Sequence, residues 1–101
     1  MNEIFDPNPE INHNNLHKHG LSLVTAQDVF SDPYRTDDEY DEEHSISEHR
    51  YSTIGMLPSG KIVIVWFTMR NGKYRLITAR EAMADEKKQY FEHVKMTLGL
   101  E

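Results

Sequence analysis

The clearest hydrophobic pattern is a run at residues 62–67 in which both alternating sets of side chains are apolar. A strand with two apolar faces is typical of the covered interior of a sheet, so residues 61–70 are predicted to be its central strand. Residues 50–56 precede it as a strand. Asn71-Gly72, the preferred two-residue hairpin turn, leads to a returning strand at 73–79. The pattern predicts an antiparallel meander of three strands.

Helical patterns lie on both sides of this meander. A first helix is predicted over about residues 9–18, started by the Asp- and Pro-containing cluster at 6–9 and ended by Gly20. Ser22 is expected to cap a second helix, whose apolar stripe lies within residues 23–30. Two helices are therefore expected before the sheet.

The last helix is predicted to begin where the third strand ends. Residues 78–81 (TARE) fit a capping box, so this helix is expected to run from about Arg80 to Leu98, with Asp85 as an alternative start. The predicted fold class is α+β. It is a small antiparallel sheet centred on the meander, optionally joined by a short N-terminal strand, with two N-terminal helices and one C-terminal helix.

Length and composition limit the classes of protein. With 101 residues the chain is expected to be one domain, 1–101, in which residues 35–49 form an acidic, solvated loop. The absence of cysteine excludes disulfides, thiolate metal sites and a catalytic thiol. No apolar stretch approaches the roughly 20 residues that span a bilayer, and no leader-like segment is visible, so no membrane association and a cytoplasmic location are expected.

Charge is divided unevenly along the chain. Residues 1–49 hold two Lys or Arg side chains against twelve acidic ones, whereas residues 50–101 hold nine against five. A basic second half favours a polyanionic partner. Two solvated surfaces of opposite charge would give the same distribution of acidic and basic residues.

Several short motifs, in order along the chain, resemble the BrnT family of toxins. They are residues 15–22 (NLHKHGLS), 26–33 (AQDVFSDP), 48–50 (EHR) with 54–55 (IG), 68–70 (TMR), and 75–82 (RLITAREA) followed by Glu86 and Tyr90. Each is common alone, but their order is specific, and together they cover about residues 5–90. Phe5-Asp6 stands where the family has Trp-Asp, and Pro9-Glu10 where it has a lysine, so no role of that lysine is transferred.

The resemblance implies a RelE-like α+β fold and an endoribonuclease that inhibits translation and growth. It also implies neutralisation by a BrnA-type antitoxin, a ribbon-helix-helix protein, in a toxin–antitoxin heterotetramer. Operator DNA is expected to be a partner only through that complex. RNA is the expected substrate, and no cofactor or metal is expected.

Cleavage of RNA without a metal needs a base for the 2′-hydroxyl, cations that stabilise the phosphorane, and an acid for the leaving 5′-oxygen. Arg50, Arg70 and Arg80 are expected to converge at one edge of the sheet and to hold the phosphate. The acid–base candidates are His19 and Glu48. Residues expected to bind RNA are Lys18, Thr68 and Arg75.

These candidate residues also have ordinary structural interpretations. Glu48 and Arg50 can form a surface ion pair, and Arg80 can pair with Glu81 or Asp85. His19 can simply end a helix, where a cation suits the helix dipole. Thr68 and Arg75 can be exposed strand residues, and Trp66 can belong to the core.

Two other functions compete with the ribonuclease. Net acidity and the missing early lysine favour a non-catalytic module that binds an antitoxin and serves in operon repression. His13 and His17 lie four residues apart with His19 just beyond, a spacing that could hold zinc in a metal-dependent hydrolase.

Overall fold

The sheet and helices are described over residues 4–6 and 9–100 of a computed structural model. Within these residues four strands form one antiparallel sheet, in chain order β1 (Glu39–Tyr40), β2 (Tyr51–Met56), β3 (Ile62–Arg70) and β4 (Lys73–Glu81). The helices are α1 (Pro9–His19), α2 (Leu23–Ala26), a 3₁₀ helix (Gln27–Ser31) that continues α2, and α3 (Ala84–Leu98). The predicted α+β class and the three-strand meander are confirmed.

Strand β3 is central, as its two apolar faces predicted. Val63, Val65 and Phe67 belong to a first core together with residues of the N-terminal helices. Ile62 and Ile64 point to the other face, into a second core with Tyr90 of α3. Each face is therefore covered by helices, and alternation along the strand decides which core a side chain enters.

The fourth strand is not the optional N-terminal strand. Phe5 forms a single parallel bridge to Tyr74 on β4, whereas β1 lies at the opposite edge and pairs with β2. β1 consists of Glu39 and Tyr40, within the segment predicted to be an acidic loop. Part of that segment is thus incorporated into the sheet.

The two N-terminal helices begin and end close to their predicted positions. α1 ends at His19 and is followed by Gly20, whose φ of 68° lies in the left-handed region that glycine adopts readily. The side chain of Ser22 caps α2 by accepting a bond from the Val24 N–H at 3.1 Å. α2 is only one turn long before the 3₁₀ helix begins. Of the predicted helix-start cluster, Pro7 and Asn8 lie outside the described residues.

The last helix begins close to the alternative start predicted at Asp85 and not at Arg80, and the predicted capping box at Thr78 is wrong. β4 continues through Glu81 because its backbone pairs with β3 as far as Val63. α3 begins at Ala84, and the carboxylate of Glu86 accepts a bond from the Met83 N–H at 2.8 Å. Backbone pairing of β4 with β3 therefore takes precedence over the local capping signal at Thr78.

Packing of the 3₁₀ helix against β2 requires a glycine. A Cβ at Gly55 would lie 2.7 Å from Cγ1 of Val29 and 3.2 Å from Cβ of Arg35. Val29 is fully buried, so it cannot move aside without disturbing the first core.

In the described part of the chain, no helix combines the length and apolarity needed to cross a bilayer.

Candidate nucleic-acid interface and active site

Two of the three predicted arginines meet at one carboxylate. Arg50 precedes β2 and Arg70 ends β3, and antiparallel pairing of Tyr51 with Phe67 brings these two chain segments to the same end of the sheet. Nη2 of Arg50 lies 3.8 Å from Oε1 of Glu48, and Nη2 of Arg70 lies 3.8 Å from Oε2. The structure thus assembles Glu48, Arg50 and Arg70 into one cluster.

Arg80 does not join this cluster, which corrects the expectation that all three arginines converge. It lies in β4 opposite Ile64, near the beginning of β3, whereas Arg70 lies at the end of β3. In an antiparallel pair the end of one strand adjoins the start of its neighbour. Nor does Arg80 open the last helix, so it gains no donors from a helix N-terminus.

Arg80 is held firmly in place by α3 and by a tryptophan. Its guanidinium donates two bonds to the carboxylate of Glu86, at 2.8 and 3.0 Å, and its Cζ lies 5.2 Å from the Trp66 ring centroid. Hydrogen bonding to Glu86 raises the pKa of Arg80, and the same bond lowers the pKa of Glu86. The charged pair is therefore fixed beside the indole.

Trp66 lies beside both Arg80 and Arg50 on one face of the sheet. It pairs with Ser52 on one side and Thr78 on the other, and paired residues in a sheet present their side chains on the same face. Beside it is a cavity of about 240 Å³. The lining residues are Asp41, His44, Arg50, Trp66, Ile77 and Thr78.

Arg50 contributes an unused hydrogen-bond donor at this cavity. Its Nε is buried and has no hydrogen-bond partner among the described residues. Burying a donor without an acceptor costs free energy, and such groups in folded proteins call for an explanation. Arg50 therefore combines an exposed contact with the cavity and a buried donor that has no acceptor among the described residues.

The cavity also contains a histidine–carboxylate pair that sequence reasoning did not select. Nδ1 of His44 lies 2.8 Å from Oδ2 of Asp41, and the backbone N–H of His44 reaches Oδ1 of the same carboxylate at 3.3 Å. The available signal was an Asp followed by His three residues later in a turn. The acidity of the whole segment indicates a solvated loop and conceals this local pairing.

Lys18 and His19 occupy the last turn of α1 and are exposed. α1 contacts the first core through Ile11, on the face of the sheet opposite to α3. Among the described residues, no hydrogen bond or ion pair connects Lys18 or His19 to Glu48 or to the three arginines. The structure therefore does not bring His19 and Glu48 together as an acid–base pair.

The remaining two predicted RNA-binding residues have structural partners. Thr68 is only 3% exposed, and its hydroxyl donates to the carbonyl of His49 at 2.7 Å. Nη1 of Arg75 lies 3.1 Å from Oδ2 of Asp6. Thr68 thereby supports the backbone beside Arg50, while Arg75 ties the N-terminal segment to β4.

The spacing of His13, His17 and His19 on α1 is the basis of the zinc hypothesis. Over residues 4–6 and 9–100, no group of three or more His, Asp or Glu side chains is arranged to hold a metal ion. His13, His17 and His19 are all exposed. The helical spacing of these histidines thus does not produce a metal centre in this fold.

Comparison with known proteins agrees with this architecture. A family model described as "Ribonuclease toxin, BrnT, of type II toxin-antitoxin system" matches residues 7–86. The crystal structure of the Brucella abortus ribonuclease toxin BrnT is similar in fold, with a TM-score of 0.53 and 20% sequence identity. The match covers 79% of this chain and 94% of that chain. No curated protein matches the sequence.

A four-stranded antiparallel sheet with a match of this extent defines the class of the protein, a small α+β toxin of a type II toxin–antitoxin system. The family model covers most of the chain, from the start of α1 to the first turn of α3. The chain belongs to the BrnT family of ribonuclease toxins.

Proposed function

We propose that the chain is a metal-independent endoribonuclease whose active site is the surface formed by Glu48, Arg50 and Arg70 beside Trp66. The observation that carries this proposal is the convergence of two guanidiniums on Glu48, next to a cavity that is lined by Arg50. Guanidinium groups are permanently charged and bind phosphate oxygens in pairs.

The chemistry is attack of the ribose 2′-hydroxyl on the adjacent phosphorus. The O2′–P bond forms, the P–O5′ bond breaks, and the products are a 2′,3′-cyclic phosphate and a 5′-hydroxyl. Arg50 and Arg70 stabilise the charge that accumulates on the phosphorane oxygens. The half-buried Trp66 offers an aromatic surface on which a nucleobase can stack.

Glu48 is proposed to position the two arginines rather than to carry protons. Its two oxygens contact different guanidiniums, so removing the carboxylate frees both to move. His19 is not retained in the mechanism, since it lies at the end of α1 without contact to this cluster among the described residues. Arg80 is proposed to hold Trp66 in place, because its guanidinium lies against the Trp66 ring and is itself fixed by two bonds to Glu86.

The test is to incubate purified, antitoxin-free protein with RNA in the presence and absence of EDTA. We expect cleavage in both conditions, and Arg50→Ala is expected to lower its rate about 10²–10³-fold through loss of phosphorane stabilisation. Lys61→Ala is the matched control, because Lys61 is an exposed cation at the opposite end of β3. Equal rates for the wild type and Arg50→Ala would contradict this site.

The antitoxin is proposed to be a BrnA-type ribbon-helix-helix protein that binds this toxin in a heterotetramer and, as the complex, binds operator DNA. Membership of a type II toxin–antitoxin family supports an antitoxin partner. The toxin is proposed to act in the cytoplasm, where messenger RNA is translated. Expression alone is expected to arrest growth, and co-expression with the ribbon-helix-helix protein of the neighbouring gene is expected to restore it.

These experiments also separate the ribonuclease from the non-catalytic alternative. A module that serves only in repression would bind the antitoxin yet leave RNA intact and growth unaffected. Arg50→Ala separates the two functions further, since an enzyme should lose toxicity while the folded variant still binds its antitoxin.

A further inference from the structure

We propose that His44, held by Asp41, is the general base of RNA cleavage, an assignment that rests on the proposed ribonuclease function. His44 lines the same cavity as Arg50 and Trp66. An imidazole, a guanidinium and an aromatic ring around one small cavity provide a base, a phosphate-binding cation and a stacking surface. This places a catalytic residue in the acidic segment, which the sequence predicted to be a solvated loop.

Asp41 fixes the imidazole in the form that a base requires. An ionised carboxylate only accepts hydrogen bonds, so the contact of 2.8 Å from Oδ2 of Asp41 places the proton on Nδ1 of His44. The other ring nitrogen, Nε2, then keeps its lone pair in the neutral imidazole.

The turn that carries His44 is attached to the backbone of Arg50 by two hydrogen bonds, and a third bond closes the turn itself. The Asp41 N–H donates to the Arg50 carbonyl at 2.8 Å, and the Arg50 N–H donates to Oγ of Ser45 at 2.9 Å. The Ser45 hydroxyl in turn donates to the Asp41 carbonyl. The position of His44 relative to Arg50 is thus set by the fold, which catalysis by a precisely placed base requires.

In the proposed step, Nε2 of His44 removes the proton of the 2′-hydroxyl as O2′ attacks phosphorus. The P–O5′ bond breaks with its electron pair on O5′, which takes a proton from solvent. The proton on Nε2 returns to solvent, which regenerates neutral His44. Arg50, on the adjoining side of the cavity, stabilises the phosphorane oxygens during this transfer.

The test compares His44→Ala with wild-type protein by single-turnover cleavage and by RNA affinity, both without antitoxin. We expect the cleavage rate to fall about 10²–10⁴-fold while the Kd for RNA stays near the wild-type value. Added imidazole is expected to restore part of the rate to His44→Ala. His49→Ala is the control, since His49 lies in the same segment but contacts Tyr40 rather than the cavity.

The outcomes separate this inference from the function on which it rests. Cleavage at equal rates by the wild type and His44→Ala would overturn the role of His44 while leaving the ribonuclease intact. An equal loss of rate and of RNA affinity, without rescue by imidazole, would also overturn it. No cleavage by wild-type protein would contradict the proposed function itself. Should His44→Ala not fold, His44→Gln is judged by the same rate and affinity.

Discussion

At the residue scale, several motif residues shared with the toxin family are structural. Asn15 is 4% exposed and links three chain segments. Its amide nitrogen donates to the carbonyls of Leu21 and Ala79 at 2.7 and 2.9 Å. Its oxygen accepts from the Ala79 N–H at 3.0 Å and from the Thr78 hydroxyl at 2.6 Å. One side chain thus attaches α1 to β4.

Asn15→Ala is predicted to lower the free energy of unfolding by about 3 kcal/mol or more, because buried backbone groups of Ala79 and Leu21 lose their partners. Urea unfolding at neutral pH measures the change. Asn14→Ala is the control, because Asn14 is the exposed neighbour of Asn15 on α1. This variant should change the free energy of unfolding by less than about 0.5 kcal/mol. Similar stabilities for the two variants would contradict the prediction.

At the element scale, the junction between β4 and α3 shows how a local signal can fail. Thr78 and Glu81 have the spacing of a capping box, yet both remain in β4, which pairs with β3. The side chain of Ala79 enters the first core, and that of Ala82, the residue directly after β4, enters the second core. Glu86 then caps α3 and binds Arg80, which connects the helix start to the strand before it.

The Arg80–Glu86 pair predicts a specific dependence of stability on pH. Hydrogen bonding from Arg80 holds the pKa of Glu86 below its ordinary value of 4.5. The ionised carboxylate therefore stabilises the fold above that pH, and this stabilisation is lost as the pH falls through the lower folded-state pKa.

Wild-type protein is accordingly expected to be more stable than Glu86→Gln at about pH 7, and this advantage should diminish towards about pH 3. Urea midpoints at the two pH values measure it. Glu92→Gln, a change at an exposed position of the same helix, is the control and should show a much smaller dependence. A constant difference between wild type and Glu86→Gln across this range would be the contrary result.

At the scale of the whole molecule, one carboxylate connects α3 with the region that follows the 3₁₀ helix. Oδ2 of Asp32 accepts from the Tyr90 hydroxyl at 2.7 Å and from the Met56 N–H at 2.8 Å. Tyr90 is 3% exposed, and its burial together with the bond to Asp32 raises the pKa of its hydroxyl. The helix of the second core is thereby tied to β2 and to the N-terminal half of the chain.

Tyr90→Phe removes only the hydroxyl and is predicted to lower the free energy of unfolding by about 1.5–3 kcal/mol, the usual range for a hydrogen bond to a charged group. Thermal and urea unfolding measure the loss. Tyr40→Phe is the control, because Tyr40 is 43% exposed, and it should remain within about 0.5 kcal/mol of wild type. An unchanged midpoint for Tyr90→Phe would exclude a stabilising role for this bond.

The sequence by itself determined the three strands of the meander, their turns and the central position of β3, but not β1. Alternating apolar residues and an Asn-Gly turn act over a few neighbouring residues, so their consequences are visible locally. Asn71 and Gly72 indeed have φ angles of 54° and 75° at the β3–β4 turn. The same local information placed Arg50 and Arg70 correctly at one end of the sheet.

Only the tertiary structure decided which chemical groups share a site. The position of Arg80 near the start of β3 follows from the antiparallel hairpin that the sequence already predicted, whereas continued pairing of β4 with β3 delayed the start of α3. Bonds from residues 41–45 to Arg50 brought His44 to the cavity beside Trp66. These placements depend on the relative free energies of competing long-range pairings, and residue type and spacing along the chain do not reveal which pairing prevails.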